Sequence, residues 1–152
     1  MKSKFLQTLV KLLIIIGMLC GLAVGILALT VLLPDAAQFF AEEQKPPAFS
    51  YIAGALAVLC VAGCEFIAIT LFRMMCTLDR DPFVKENVRA LRHMGWTALI
   101  VMALALATLL LHPLALAVLA APPLGMCGLF SLVLSGVFEK AVAFKEENEL
   151  TV

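Results

Sequence analysis

Long apolar runs are the feature that most limits how this chain can fold. Two of them extend over about residues 12–33 and 51–72, and a third extends over residues 95–138. A bilayer core about 30 Å thick needs roughly 20 apolar residues per helix, so the third run is long enough for two spans. Hydrophobic residues form 63% of the chain and charged residues 14%, whereas soluble domains are roughly half apolar and a quarter charged. We therefore predict an integral membrane protein.

The run at 95–138 contains residues that interrupt helices, because proline lacks an N–H and its ring clashes with the preceding turn. These expected breaks are His112, Pro113, Pro122 and Pro123. We place the third span near 95–112 and the fourth near 118–138, with the turn anywhere from 112 to 123. The predicted fold class is all-α: a polytopic membrane protein whose single domain, 1–152, is a four-transmembrane-helix bundle.

The first span is expected to be a retained anchor. Its apolar run of about 22 residues exceeds the 7–15 residues of a signal-peptide core. No convincing pattern of small residues for cleavage follows it.

Lysine and arginine are distributed unequally between the two sides of the membrane. With four spans, ten of the eleven basic residues fall on one side and only Lys45 on the other. Inner loops carry the excess of lysine and arginine. We therefore predict a multi-pass protein of the cell (inner or plasma) membrane. Both termini, the loop 73–94 and the tail 139–152 should be cytoplasmic, and the loop 34–50 should face out.

The most polar stretch is TLDRDPFVKENVRALRHMGW, residues 77–96. Asp81 followed by Pro82 is typical of a helix start, with a capping carboxylate and a proline at the first helical position. Beyond it, apolar residues recur at helical spacing beside a basic stripe. The basic residues of the stretch are Arg80, Lys85, Arg89 and Arg92. We predict a cytoplasmic amphipathic helix between spans 2 and 3, which can lie against anionic lipid headgroups.

Two interpretations of this basic stretch remain open. It is either a solvated connector or a docking surface for an acidic partner, and charge alone does not separate them. The tail FEKAVAFKEENELTV, 138–152, carries the complementary acidic residues Glu146, Glu147 and Glu149. They could pair with the basic stretch, although exposed pairs contribute only about 0–1 kcal/mol.

These two stretches, LDRDPFVKENVRALR and FKEENELTV, in that order around four spans, resemble the YoaS-like proteins, small bacterial membrane proteins classed as a domain of unknown function. The resemblance implies four membrane helices, no assigned activity and no catalytic residues to transfer. It also implies a candidate partner class, because genes of the family often lie beside a small helix-turn-helix regulator.

Glu65 is the only ionisable residue deep within a predicted span. Its burial costs several kcal/mol unless it is protonated, paired or hydrated. If spans 2 and 4 pack together, Ser131 lies at a similar depth, and Ser135 lies one turn nearer the cytoplasm. We favour a neutral Glu65 whose hydrogen bond to Ser131 stabilises the packing of the two helices. The alternatives are a proton or cation site, or a side chain of Arg73 or Arg92 that reaches in.

Gly17, Gly21 and Gly25 form a double GxxxG on the first span, which indicates close helix packing. We favour a neighbouring span of the same chain, with a second copy in a homo-oligomer as the alternative. The cysteines lack the spacing of a metal site, and free cysteine packs as a small hydrophobe. They are Cys20, Cys60, Cys64, Cys76 and Cys127. We expect no metal or other cofactor and no disulfide.

Three classes of function compete. The sequence lacks a phosphate loop, a serine elbow and a carboxylate pair, and His93 and His112 fall on opposite membrane faces, so we expect no enzyme. We favour a non-enzymatic partner or regulator that holds a small cytoplasmic protein and does not itself contact nucleic acid. The alternative is a small transporter or channel, as a single chain or an oligomer, that uses Glu65 as its proton or cation site.

Overall fold

The computed structural model describes residues 2–27, 29–30, 34, 38, 48–77, 83–111 and 115–150. Four long helices account for most of them, and the described residues contain no β-strand. The helices are α1 (Lys2–Leu27), α2 (Ala48–Thr77), α3 (Lys85–Leu111) and α4 (Ala115–Leu150). All four are long and apolar enough to cross a membrane. The all-α class with four candidate spans is confirmed.

Helices suit these apolar segments because a helix satisfies its own backbone polar groups, which lipid cannot do. The second helix has 30 residues and the fourth has 36, which correspond to about 45 and 54 Å at a rise of 1.5 Å per residue. Both lengths exceed the roughly 30 Å of a bilayer core. Part of each helix is therefore available outside the hydrocarbon region.

Pro122 and Pro123 do not break the helix as the sequence suggested, because both lie inside α4. Membrane helices tolerate internal proline where neighbouring groups satisfy the freed backbone carbonyls. The third helix ends at Leu111 and the fourth begins at Ala115, so the break between them falls within the predicted range of 112 to 123. His112 and Pro113 fall within it, outside the described residues.

The third helix begins later than Asp81 and Pro82 predicted. Phe83 and Val84 are non-helical, and the helix starts at Lys85. Its first turn is closed by the carbonyl of Val84, which accepts hydrogen bonds from the backbone N–H groups of Asn87 at 3.0 Å and Val88 at 3.4 Å. Arg80, Asp81 and Pro82 lie outside the described residues. The basic stretch from Lys85 onward continues without interruption into the third candidate span.

Each helix packs against the next helix along the chain. Among the described residues, α1 contacts α2, α2 contacts α3 and α3 contacts α4, whereas α1 and α4 do not meet. The four-helix bundle that the sequence predicted is therefore open, with its helices arranged in a row. Most of the buried apolar side chains belong to α3: Val88, Leu91, Met94, Ala98, Val101 and Ala105. The third helix is therefore the centre of the fold.

Candidate functional site

The beginning of α3 and the end of α4 carry opposite charges and lie side by side. Lys85 Nζ is 2.7 Å from Glu146 Oε1, and Arg92 donates a hydrogen bond of 3.0 Å to Glu139 Oε2. The seven-residue spacing in both helices places the two pairs along one antiparallel seam. We call these four residues the charged end. All four side chains are more than half exposed, so each pair contributes only about 0–1 kcal/mol to stability.

The charged end includes part of the predicted docking surface. Arg89 is exposed on α3, one turn from both Lys85 and Arg92, and Glu147 is exposed on α4. The side chain of Glu149 lies outside the described residues, as does Arg80. Arg92, suggested above as a counter-ion for Glu65, pairs with Glu139 instead.

A buried polar contact lies next to the charged end and joins α2 to α3. The Asn87 side chain is only 2% exposed, and its Oδ1 accepts a hydrogen bond of 2.7 Å from the Thr77 hydroxyl. The same hydroxyl lies 2.8 Å from the carbonyl oxygen of Met74. A buried side-chain amide needs hydrogen-bond partners, because a buried polar group without a partner costs about 1–3 kcal/mol of stability. The contact therefore fixes where the last turn of α2 meets the first turn of α3.

Glu65 lies at the contact between α2 and α1. Its carboxylate lies over Gly21, where a side chain would collide with Oε1, and one turn away Val61 lies over Gly25. The absence of side chains on these glycines creates the space that the carboxylate occupies. Glu65 is partly exposed, and within the described part of the chain no hydrogen bond or ion pair joins it to another side chain.

Ser131 and Ser135 do not meet Glu65. The described parts of α2 and α4 make no contact because α3 lies between them. Ser135 is buried, and its hydroxyl donates to the carbonyl of Leu132 at 2.7 Å within α4. The proposed Glu65–Ser131 hydrogen bond assumed that α2 and α4 are neighbours, and the observed order of the helices separates them.

Two of the three glycines of the GxxxG pattern face a neighbouring helix of the same chain. Gly21 and Gly25 pack against α2, whereas a side chain on Gly17 would meet nothing within 4 Å. Packing against a span of the same chain therefore accounts for Gly21 and Gly25 but not for Gly17.

The five cysteines are free thiols. Within the described ranges no group of three or more histidine, cysteine, aspartate or glutamate residues is placed to hold a metal ion. The chemistry that these residues offer is therefore charge pairing at the charged end and a carboxyl group at the α1–α2 contact.

Comparison with known families places the chain. Residues 33–152 match the family described as "Protein of unknown function (DUF2975)". The chain belongs to this family. The DUF2975 match is consistent with the resemblance to YoaS-like proteins, and it includes α2, α3 and α4 with both Glu65 and the charged end. No curated protein and no solved structure matches the chain.

Sequence reasoning missed two features of this DUF2975 protein. Asn87 was not singled out, although it starts a series of buried positions at alternating spacings of four and three: 87, 91, 94, 98, 101 and 105. That spacing is typical of a helix seam packed against its neighbours. The second feature is the close approach of α3 and α4 at Gly95 and Gly128. The sequence places Gly95 and Gly128 at similar depth in two antiparallel spans, and this could have indicated the close approach.

We predict that Gly21→Leu weakens the α1–α2 contact of the DUF2975 protein. The new side chain must displace the Glu65 carboxylate, which is the end of a flexible side chain, so relative to a substitution into open space we expect a loss at the lower limit for overpacking, about 1 kcal/mol. The free energy of unfolding, measured by denaturant titration in mild detergent, should fall accordingly. Gly17→Leu is the matched control, because a side chain there would meet nothing within 4 Å, and it should not lower stability, since leucine gains about 1 kcal/mol of helix propensity over glycine. Equal losses in both variants would contradict the described contact.

Proposed function

We propose that this protein is a non-enzymatic membrane partner or regulator that docks a small cytoplasmic protein at its charged end. The observation that carries the proposal is the adjacency of the two charged segments, at 2.7 Å for Lys85–Glu146 and 3.0 Å for Arg92–Glu139. A partner would meet positive and negative groups within one surface. The distribution of lysine and arginine along the chain favours a cytoplasmic location for that surface.

The low stability of the ion pairs supports a docking role. Because all four side chains are more than half exposed, exchanging an internal partner for one on another protein costs little. Complementary charges at an interface act mainly on the association rate and on orientation. Lys85 and Arg92 would steer the encounter, and Glu139 and Glu146 would set the orientation.

An apolar contact beside the charged end could add affinity. The rings of Phe83 and Phe138 lie with their centroids 5.6 Å apart, and Phe83 remains exposed. Exposed aromatic residues often supply the central contacts of protein interfaces. The resemblance to YoaS-like proteins favours a helix-turn-helix regulator as the partner, which would be kept away from DNA while it is bound.

The test is crosslinking and pull-down from native membranes. The wild-type chain should recover a cytoplasmic protein, and recovery should fall about tenfold or more for Lys85→Glu combined with Arg92→Glu, since like charges placed opposite a partner cost several kcal/mol. A chain truncated after Lys145, which lacks Glu146, should also lose the partner. A membrane-permeant crosslinker should capture it, and an impermeant reagent added to intact cells should not.

The matched control is Arg73→Glu. It reverses an exposed charge on α2, a helix that contributes none of the four residues of the charged end, and it should leave recovery unchanged. Equal loss in the control would show that net charge, not this surface, governs recovery. Recovery of only lipid and the protein itself in all variants would reject docking.

A transporter or channel is the second candidate, favoured by the carboxyl group of Glu65 at the α1–α2 contact. If Glu65 carries a proton or cation, the flux of protons or cations into proteoliposomes should be lost equally in the Glu65→Gln and Glu65→Leu variants. If Glu65 only packs, Gln should behave as wild type, and Leu should alter stability by no more than about 2 kcal/mol without changing flux. Wild-type vesicles without flux would reject this candidate.

A further inference from the structure

The basic residues at the beginning of α3 divide into two groups with different surroundings. Lys85 and Arg92 face α4 and pair with its glutamates. Arg89 and His93 are exposed and, within the described part of the chain, take part in no ion pair within 4 Å. The guanidinium of Arg89 and the imidazole of His93 are therefore available to a ligand that does not belong to the protein.

Helix geometry explains this division. On one side of α3, Asn87 contacts Thr77 and Val101 contacts Gly63 of α2. On another side, Gly95 and Met102 contact α4. The stripe left over, at spacings of four, three and four, contains only exposed residues: Arg89, His93, Trp96 and Ile100. We call these four residues the outer stripe.

The outer stripe changes in chemistry along the helix. A rise of 1.5 Å per residue puts Trp96 about 10 Å and Ile100 about 16 Å from Arg89 along the axis. Trp96 is 58% exposed, and exposed tryptophan is enriched at the level of lipid headgroups. A cation, an imidazole, an indole and an aliphatic side chain therefore follow one another from the polar end of α3 toward its apolar part.

We propose that the outer stripe binds the headgroup of an anionic phospholipid. Arg89 pairs with the phosphate, because its guanidinium offers N–H donors in a geometry that matches phosphate oxygens. The imidazole of His93 donates a second hydrogen bond one turn deeper. Trp96 lies at the boundary between headgroup and acyl chain, and Ile100 packs against the chain itself. The outer stripe adjoins the charged end, since Lys85 and Arg92 lie one turn before and one turn after Arg89, but the two sites share no residue.

The single tryptophan of the chain provides the probe. We would reconstitute the full chain in phosphatidylcholine vesicles that contain either brominated phosphatidylglycerol or brominated phosphatidylcholine, with bromine near the headgroup end of the acyl chain. Trp96 should be quenched more strongly by the brominated anionic lipid, and added salt should reduce that preference. One surface cation contributes about a fivefold factor to anionic lipid binding, so Arg89→Gln should lower the preference by about fivefold.

The matched control is Arg92→Gln, which removes a cation one turn away whose charge already pairs with Glu139. It should keep most of the wild-type preference, and His93→Gln should give an intermediate loss. Circular dichroism should show unchanged helix content in all three variants. Equal quenching by the two lipids in wild type would overturn the proposal and leave the outer stripe to a protein ligand. Equal losses in Arg89→Gln and Arg92→Gln would also overturn it, because the effect would then be general electrostatics.

Discussion

Gly95→Leu is expected to separate α3 from α4 and to give the largest loss of stability among single substitutions within the candidate spans. A Cβ on Gly95 would lie 2.9 Å from the carbonyl oxygen of Gly128 and 2.6 Å from Cγ of Leu132. The backbone of α4 cannot move aside as a side chain can, so the helices must shift apart. Overpacking typically costs 1–3 kcal/mol and occasionally more, and we expect about 3 kcal/mol here.

Gly136→Leu on α4 is the matched control, because a side chain at Gly136 would meet nothing within 4 Å. Both substitutions gain similar helix propensity, about 1 kcal/mol over glycine, so the difference between them isolates packing. Equilibrium unfolding in mild detergent measures both free energies. If Gly95→Leu and Gly136→Leu unfold at the same denaturant concentration, α3 and α4 do not approach closely at Gly95.

The number of helices was predictable because span length is a physical requirement. Crossing a bilayer takes roughly 20 apolar residues, and the runs near 12–33, 51–72 and 95–138 satisfy it four times. The ends were less predictable. Proline at 122 and 123 would end a helix in water, but in lipid the cost of exposed backbone favours continuing it.

The neighbours of each helix were not predictable from these runs. A helix that is apolar on all sides has no face that reveals its partner, so the match in depth between Glu65 and Ser131 could not show that α3 lies between them. The GxxxG pattern identified one face of α1, but only Gly21 and Gly25 use it. Opposite charges were more informative, because Lys85 and Glu146 lie outside the most apolar segments and attract each other.

The hydrogen bond between Asn87 and Thr77 also bears on the charged end, because it fixes the first turn of α3 on which Lys85 lies. Asn87→Ala removes the acceptor at 2.7 Å from the Thr77 hydroxyl and empties a site that is only 2% exposed. We expect a loss of about 2 kcal/mol in the free energy of unfolding. In this variant the Thr77 hydroxyl can still donate to the carbonyl oxygen of Met74, 2.8 Å away. Part of the loss should therefore come from the packing of Asn87 and not from Thr77.

A double-mutant cycle with Thr77→Val separates the hydrogen bond from the loss of packing. The coupling energy between the two positions should be about 1 kcal/mol, and Asn148→Ala, an exposed amide on α4, should change stability by less than about 0.5 kcal/mol. If docking depends on the orientation of Lys85, Asn87→Ala should also reduce partner recovery while Asn148→Ala preserves it. A coupling energy near zero would mean that the contact does not hold α2 to α3, and the placement of the charged end would then depend on the α3–α4 interface alone.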